Sequence, residues 1–111
     1  PTYMGSMSSL CKAFLDRTIA FRKEWLLRDK VVGAIAVGAA RQGGQDTTVL
    51  AVLAALMRQD VIVVGDGKPG AHPGATLQSQ NDSIAGDEGG VASAKCLGKR
   101  VAEVALRLSR G

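Results

Sequence analysis

Aromatic residues are scarce in this chain and make up only 4% of its 111 residues. A hydrophobic core must therefore be built from Ala, Val, Leu and Ile, side chains that suit close packing of helices on a sheet. No stretch of about 18 uncharged apolar residues is present, so the sequence predicts no membrane-spanning helix. The first residues show no basic start followed by an apolar stretch, and no signal peptide is expected.

Cysteine and histidine are also rare, with two cysteines and one histidine in the chain. Cys11 and Cys96 lie far apart in segments with helical patterns, which favours reduced thiols in the core of a cytoplasmic protein. A disulfide between them is the alternative. No group of His and Cys has the spacing of metal ligands, so no metal site is predicted.

The charge is basic, with a formal net charge of +4. The Lys and Arg residues are scattered along the chain and form no single stripe with interleaved aromatics. This pattern favours a solvated surface, and attraction to phosphate-bearing ligands is the sharper alternative. Nucleic-acid binding is not expected.

Two short apolar runs alternate with helical patterns. Residues 31–38 and 61–65 are apolar runs that end in glycine, which is typical of strands buried on both faces of a parallel sheet. Residues 66–90 are rich in Gly, Pro, Ser, Asn and Asp and are expected to form one long irregular loop. The alternation predicts an α/β fold with parallel strands.

Three helices are predicted. The first begins after Ser8 or Ser9 as a cap, and whether residues 18–30 continue it or form a connecting loop stays open. The second runs from Asp46 or Thr47 to about Gln59, and the third from about Glu88 to Ser109. Apolar residues recur at helical spacing in the last two, in the sets Leu50, Leu53, Ala54, Met57 and Ala94, Leu97, Val101, Val104, Ala105, Leu108.

Two strands are too few for a doubly wound sheet, because each would leave an open edge. We therefore expect a partner chain or further copies of this chain to complete the sheet, and we do not expect a stable lone monomer.

Three segments carry a resemblance to a known family. They are PTYMGSMS at 1–8 followed by KAFLDRT at 12–18, GGQDTT at 43–48, and GKRVAE at 98–103. In this order and spacing they resemble the NADPH-dependent FMN reductase and multimeric flavodoxin family, which includes quinone reductases and iron–sulfur flavoproteins. The match covers essentially the whole chain.

The resemblance implies that two loops flank the flavin ring of FMN, with NAD(P)H as electron donor and a quinone or similar small molecule as acceptor. It implies ring contacts from one group of residues in the first loop and another in the second: Thr2, Tyr3, Met4, Gly5, Ser6, Met7, and Ala40, Gly43, Gly44, Gln45. His72 is a substrate-side candidate, and no catalytic residue is assigned. Taken alone, residues 1–8 favour a tight turn before a capped helix, and His72 an exposed loop histidine.

The chain also departs from the family pattern. Family members begin with a strand and a loop that cradles the FMN phosphate, and iron–sulfur members carry a compact cysteine motif that Cys11 and Cys96 do not replace. Residues 1–111 are therefore expected to be a partial domain, the C-terminal half of a flavodoxin-like sheet with about two strands and three helices, completed in a homo-oligomer (dimer or tetramer). The expected function is that of an NAD(P)H-dependent FMN or quinone reductase in truncated form. The alternative is a non-catalytic oligomeric remnant that binds flavin weakly or not at all.

Overall fold

The structure, a computed structural model, describes residues 1–110. Helices and strands alternate along most of the chain. The strands are β1 (Thr2–Tyr3), β2 (Ser6–Met7), β3 (Val31–Val32), β4 (Ile35–Gly38), β5 (Ile62–Val63) and β6 (Ala75–Gln78). The helices are α1 (Ser9–Arg17), α2 (Ile19–Arg22), α3 (Gln45–Met57) and α4 (Glu88–Arg110).

The centre of the fold consists of two short pairs of parallel strands. β3 lies beside β5, with Val31 opposite Ile62, and β4 lies beside β6, with Ile35 opposite Ala75 and Gly38 opposite Gln78. Residues 65–74 connect β5 of the first pair to β6 of the second, and we call this segment the excursion loop. The prediction of an α/β fold with parallel strands is confirmed.

Helices cover both faces of these strands. On one face Val49 and Leu53 of α3 pack with Ala34 and Ala36. On the other face Leu97 of α4 packs with Ala75 and Leu77. The small alanines let each helix lie close to the strands, as the aromatic-poor composition predicts.

Short strands that the sequence did not predict add to the expected two. β6 lies inside the segment 66–90 that was expected to be one irregular loop, and β1 and β2 form a hairpin inside the first loop. The four residues of β6, ATLQ, stand between Gly/Pro-rich and polar segments, so they carry too little pattern to predict a strand. Their backbone pairing with β4, about 40 residues earlier, makes them one.

The predicted apolar face of α3 is wrong except at Leu53. Leu50 and Met57 are each 53% exposed, whereas Gln45, Thr48 and Val49 are buried. The helix is apolar nearly all round, so its sequence period does not select one face. Contact with the alanines of β4 selects it instead.

The other helices follow their patterns more closely. The Ser8 Oγ accepts a hydrogen bond from the Cys11 N–H at 3.1 Å, as the predicted cap requires. Along α4, Leu97 is buried, and Ala94, Val101 and Val104 are half-buried. Ala105 and Leu108 of the predicted stripe are exposed, so the stripe is wrong at these two positions. Residues 18–30 form the single turn of α2 followed by irregular turns.

Cys11 and Cys96 are free, half-buried thiols, so the disulfide alternative is not realised. Within residues 1–110, no helix is both long and apolar enough to cross a membrane. In the same part of the chain, no group of three or more His, Cys, Asp or Glu side chains is placed to hold a metal ion.

Candidate functional site

The first predicted loop is a tight hairpin. Thr2 pairs with Met7 and Tyr3 with Ser6, which leaves Met4 and Gly5 as the two turn residues. Both have positive φ, 50° and 76°, the signature of a type I′ turn. Gly5 adopts this conformation at no steric cost, whereas Met4 is strained there. At the tip, Tyr3 is 63% exposed and Met4 fully exposed.

The second loop, predicted around Ala40 to Gln45, spans residues 39–44 between β4 and α3 and contacts the hairpin. The Thr47 hydroxyl donates a hydrogen bond to the Gly5 carbonyl oxygen at 2.7 Å. Gly44, with φ 95°, lies so close that a Cβ on it would stand 2.7 Å from the Gly5 Cα. The structure therefore brings the candidates Thr2 to Met7 together with Ala40 to Gln45 at the carboxyl end of β4.

Gln45 is buried and makes all its side-chain hydrogen bonds within the chain. Its Nε2 donates to the Ala40 and Leu77 carbonyl oxygens at 2.6 and 3.2 Å, and its Oε1 accepts the Gly43 N–H at 2.8 Å. The amide thus ties the second loop to the end of β6. Among the predicted ring contacts, Gln45 is only 4% exposed. Its side-chain hydrogen bonds hold the second loop in position.

The Thr2 hydroxyl is buried and has no hydrogen-bond partner within residues 1–110. An unpaired buried hydroxyl is costly, so it is a structural sign of a partner outside these residues. Thr2 lies at the base of the hairpin, and its methyl group faces Gly44.

Two adjoining clefts open at the carboxyl ends of β4 and β6. The small cleft, about 270 Å³, lies beside the second loop and is lined by Arg41, Gln42, Gly44, Gln45, Asp46, Thr47 and Thr76. The large cleft, about 530 Å³, lies between the ends of the strands and the start of α4; among its lining residues are Arg41, Gln45, Thr76, Gln78, Gln80, Ser83 and Asp87.

Asp87 builds one wall of the large cleft, and sequence reasoning missed it. Its carboxylate accepts the Gln78 N–H at 2.8 Å and the Gly90 N–H at 2.9 Å, and so caps α4. These two hydrogen bonds, helped by the charge of Arg41, hold the pKa of Asp87 below its ordinary value despite burial. An Asp directly before a helical pattern is a cap signal that was available in the sequence.

His72 lies elsewhere, in the excursion loop before β6, at the far end of that strand from the clefts. Its backbone N–H and its Nδ1 contact the two carboxylate oxygens of Asp66 at 2.6 and 2.7 Å. The Ser93 hydroxyl donates to the same carboxylate at 2.7 Å. Within this chain the structure does not bring His72 together with the two loops; its imidazole is largely exposed, and its ordered partner is the buried Asp66.

Comparison with known proteins points to one family. The family model described as NADPH-dependent FMN reductase matches residues 1–75. An iron–sulfur flavoprotein of Methanocaldococcus jannaschii is 42% identical over 105 residues, which cover 94% of this chain and 54% of the relative. An NAD(P)H dehydrogenase (quinone) of Archaeoglobus fulgidus is 34% identical over 97% of this chain and 57% of the relative.

A solved structure has a similar fold. The crystal structure of a flavodoxin, WrbA-like protein from Agrobacterium tumefaciens superposes with a TM-score of 0.81 at 26% identity, over 96% of this chain and 62% of that one. The chain thus spans between about half and three-fifths of the length of these proteins. Match and fold together place the chain in the NADPH-dependent FMN reductase family, with a flavodoxin-like α/β fold.

Proposed function

We propose that this chain supplies the ring-side part of an FMN-binding oxidoreductase of the NAD(P)H-dependent FMN or quinone reductase type. The observation that carries the proposal is the exposure of Tyr3 and Met4 at the tip of a strained hairpin, which Thr47 in the first turn of α3 holds by a hydrogen bond. Strained backbone and exposed apolar side chains at one point are typical of a binding site.

The residues present fit a flat, mostly apolar ring with a polar edge. Tyr3 and Met4 offer apolar surface, and the orphaned Thr2 hydroxyl together with Ser6 offers hydrogen bonds. Gly43 and Gly44 let the backbone approach closely, while Gln45 holds their loop in place.

When bound, FMN supplies the hydride chemistry between a nicotinamide donor and an acceptor such as a quinone. The names of relatives as NAD(P)H dehydrogenase (quinone) support this donor and acceptor class. The chain's own residues bind and orient the ring and keep the second loop against the hairpin.

The test is a fluorescence titration of the purified chain with FMN and with riboflavin, which has the ring but no phosphate. Because the candidate contacts are all to the ring, we expect the two flavins to bind with similar affinity. Tyr3→Ala should weaken both several-fold, since it removes an aromatic contact worth roughly 0.5–1.5 kcal/mol.

Phe14→Ala is the matched control, because Phe14 is a similarly exposed aromatic on α1 (65%) away from the two loops. Its flavin affinities should equal those of the unaltered chain. The proposal fails if neither flavin binds, or if Tyr3→Ala and Phe14→Ala behave alike.

A second candidate is a non-catalytic oligomer that binds little flavin. It is favoured by the number of large apolar side chains that are more than half exposed, among them Leu10, Ile19 and Leu50. We propose self-association through this apolar surface for both candidates, the oxidoreductase and the non-catalytic oligomer. Flavin absorbance bands in the purified protein would count against the non-catalytic candidate.

A further inference from the structure

A further cleft lies between α1, α2 and the end of α3, and we call it the helix cleft. Its volume is about 400 Å³, within the range of roughly 300–1,000 Å³ that small-molecule sites occupy. The helix α3 begins at Gln45 beside the second loop, whereas the cleft is lined by Ala55, Arg58 and Gln59 at the other end of that helix. The helix cleft shares no lining residue with the small or the large cleft, so it is a separate site.

A buried residue of the helix cleft, Gln59, carries an unsatisfied hydrogen-bond acceptor. Its Nε2 donates to the carbonyl oxygen and to the hydroxyl oxygen of Thr18, at 3.0 and 2.8 Å. The Thr18 hydroxyl in turn donates to the Leu15 carbonyl oxygen at 2.6 Å, so both Thr18 oxygens accept from Gln59 and the orientation of the amide is fixed. The Gln59 Oε1 is left buried with no donor within residues 1–110. A buried acceptor in this state indicates a donor supplied from outside these residues.

Two arginines of the helix cleft carry positive charge that no ion pair neutralises. Arg22 and Arg58 both line the cleft, and neither forms an ion pair within residues 1–110. Arg22 is held in place, because its Nε donates to the Arg58 carbonyl oxygen at 2.9 Å and its guanidinium lies 4.8 Å from the centre of the Trp25 ring. Lys12 and Asp16, which also line the cleft, pair with each other and add no net charge. The two arginine charges outweigh the partial negative charge of roughly half a unit at the C-terminus of α3, so the cleft favours an anion.

Part of the cleft wall is apolar, since the half-buried Leu15 and Ala55 line it as well. An inorganic anion gains nothing from an apolar wall and brings no donor to Gln59, whereas a hydroxylated organic acid offers a charge, an apolar body and a donor. We propose that the helix cleft binds a small aliphatic carboxylate that carries a hydroxyl group. Arg22 and Arg58 hold the carboxylate, as guanidinium groups hold planar anions, and the Gln59 Oε1 accepts the hydroxyl hydrogen.

The experiment is an NMR titration of the isotope-labelled chain with three matched probes, α-hydroxyisocaproate, isocaproate and isocaproamide. The backbone amides of Thr18, Ala55 and Gln59 should shift in a saturable way with α-hydroxyisocaproate. Isocaproate lacks the hydroxyl and should bind several-fold more weakly, because the hydrogen bond to Gln59 is lost. Isocaproamide also lacks the charge and should bind about tenfold or more weakly than isocaproate.

Arg58→Gln should weaken the binding of α-hydroxyisocaproate about tenfold or more, because charge-assisted hydrogen bonds to the carboxylate are lost. Arg58→Lys keeps the charge without the planar fork and should give an intermediate affinity. Arg58 is exposed, and the spectra of both variants report whether the fold is kept. Arg17→Gln is the control, since Arg17 is an exposed arginine at the end of α1 that does not line the cleft, and its affinity should equal that of the unaltered chain.

The organic-acid site is overturned if α-hydroxyisocaproate shifts none of these amides, or if Arg58→Gln and Arg17→Gln bind it equally. It is also overturned if isocaproate binds as tightly as α-hydroxyisocaproate, since Gln59 would then recognise no donor. Inorganic phosphate that binds as tightly as the hydroxy acid would overturn it too, because the arginines would then be a simple anion site. The flavin proposal has a separate readout in the amides of residues 2–7, so either proposal can fail while the other stands.

Discussion

At the scale of single residues, two buried polar side chains hold the loops at either end of β6. Gln45 fixes the second loop at the carboxyl end, and Asp66 closes the neck of the excursion loop at the other end. Both are 4% exposed. Buried groups with several partners each are costly to replace, because substitution leaves those partners unpaired.

Gln45→Leu should destabilise the chain by about 1–3 kcal/mol, because the backbone groups of Ala40, Gly43 and the buried Leu77 lose their hydrogen-bond partner. The free energy of unfolding from urea denaturation measures this. Gln42→Leu is the control, because Gln42 is exposed in the same loop and should change stability by less than about 0.5 kcal/mol. Equal losses in the two variants would show that the hydrogen bonds of Gln45 contribute little.

Asp66 should make stability depend on pH in the acid range. Burial by itself raises the pKa of Asp66, but the hydrogen bonds from His72 and Ser93 outweigh it and hold the pKa below its ordinary value of 3.8. The ionised form is therefore favoured by folding, and its stabilisation is present above pH 3.8 and lost as pH falls through the lower folded pKa.

Asp66→Asn should accordingly be less stable than the unaltered chain at pH 5, by about 1–3 kcal/mol, because the amide cannot accept all the donors around it. The difference should shrink at pH 3. Urea denaturation at the two pH values measures it, with the exposed Asp82→Asn as control. A difference that stays constant between pH 5 and pH 3 would contradict the role of the Asp66 charge.

At the scale of secondary-structure elements, the start of α4 is joined to the end of β6 by one side chain. Asp87 binds the N–H of Gln78 in β6 and the N–H of Gly90 in the first turn of α4. Gly90 is required here by close packing, since a Cβ on it would stand 2.3 Å from the Asp87 carboxylate and 3.0 Å from the Thr76 carbonyl oxygen. The glycine weakens the helix locally, and the cap offsets that loss.

Asp87→Ala should cost about 1–2 kcal/mol of unfolding free energy, the upper range for loss of a helix cap. Asp87→Asn should cost less at pH 7, because Asn also caps helices. Since the pKa of Asp87 is lowered in the folded chain, its advantage over Asn should disappear as pH falls below 3.8. Identical stability of the Ala and Asn variants at pH 7 would rule out a capping role.

At the scale of the whole molecule, much apolar surface has no partner within residues 1–110. Leu50 and Met57 of α3 and Phe14 of α1 are each more than half exposed. β4 pairs with β6 on one side, and no second ladder is formed on its other side in the described part of the chain. An open strand edge and exposed apolar helix surface both favour association.

We expect the chain to be a dimer or larger at micromolar concentration, as measured by light scattering coupled to size exclusion. Replacing both Leu50 and Met57 by Glu should shift it toward monomer while the helical circular dichroism is kept, because charge opposes burial of that face. Ala102→Glu, an exposed site on α4, is the control. A folded monomer from the unaltered chain would contradict this prediction.

Long elements with strong local patterns were predictable from sequence. The two predicted apolar runs contain β3, β4 and β5, and α4 begins at Glu88 and ends within a residue of its predicted end. The motifs also indicated the family, because their order and spacing carry ancestry irrespective of contacts. The resemblance implied that two loops flank one site, but it predicted neither the hairpin nor its contact with the second loop.

The amino-acid sequence by itself determined the α/β class, the start of α1, the limits of α4 and the family, since these depend on residues close in the chain. Only the tertiary structure decided that residues 75–78 are a strand, that α3 buries Val49 and exposes Leu50, and that Gln45 turns inward to Ala40 and Leu77. Each of these outcomes depends on contacts with residues that lie in another segment of the chain. A short or uniformly apolar segment has no residue pattern that selects a strand or a buried face, so contacts with other segments decide which one forms.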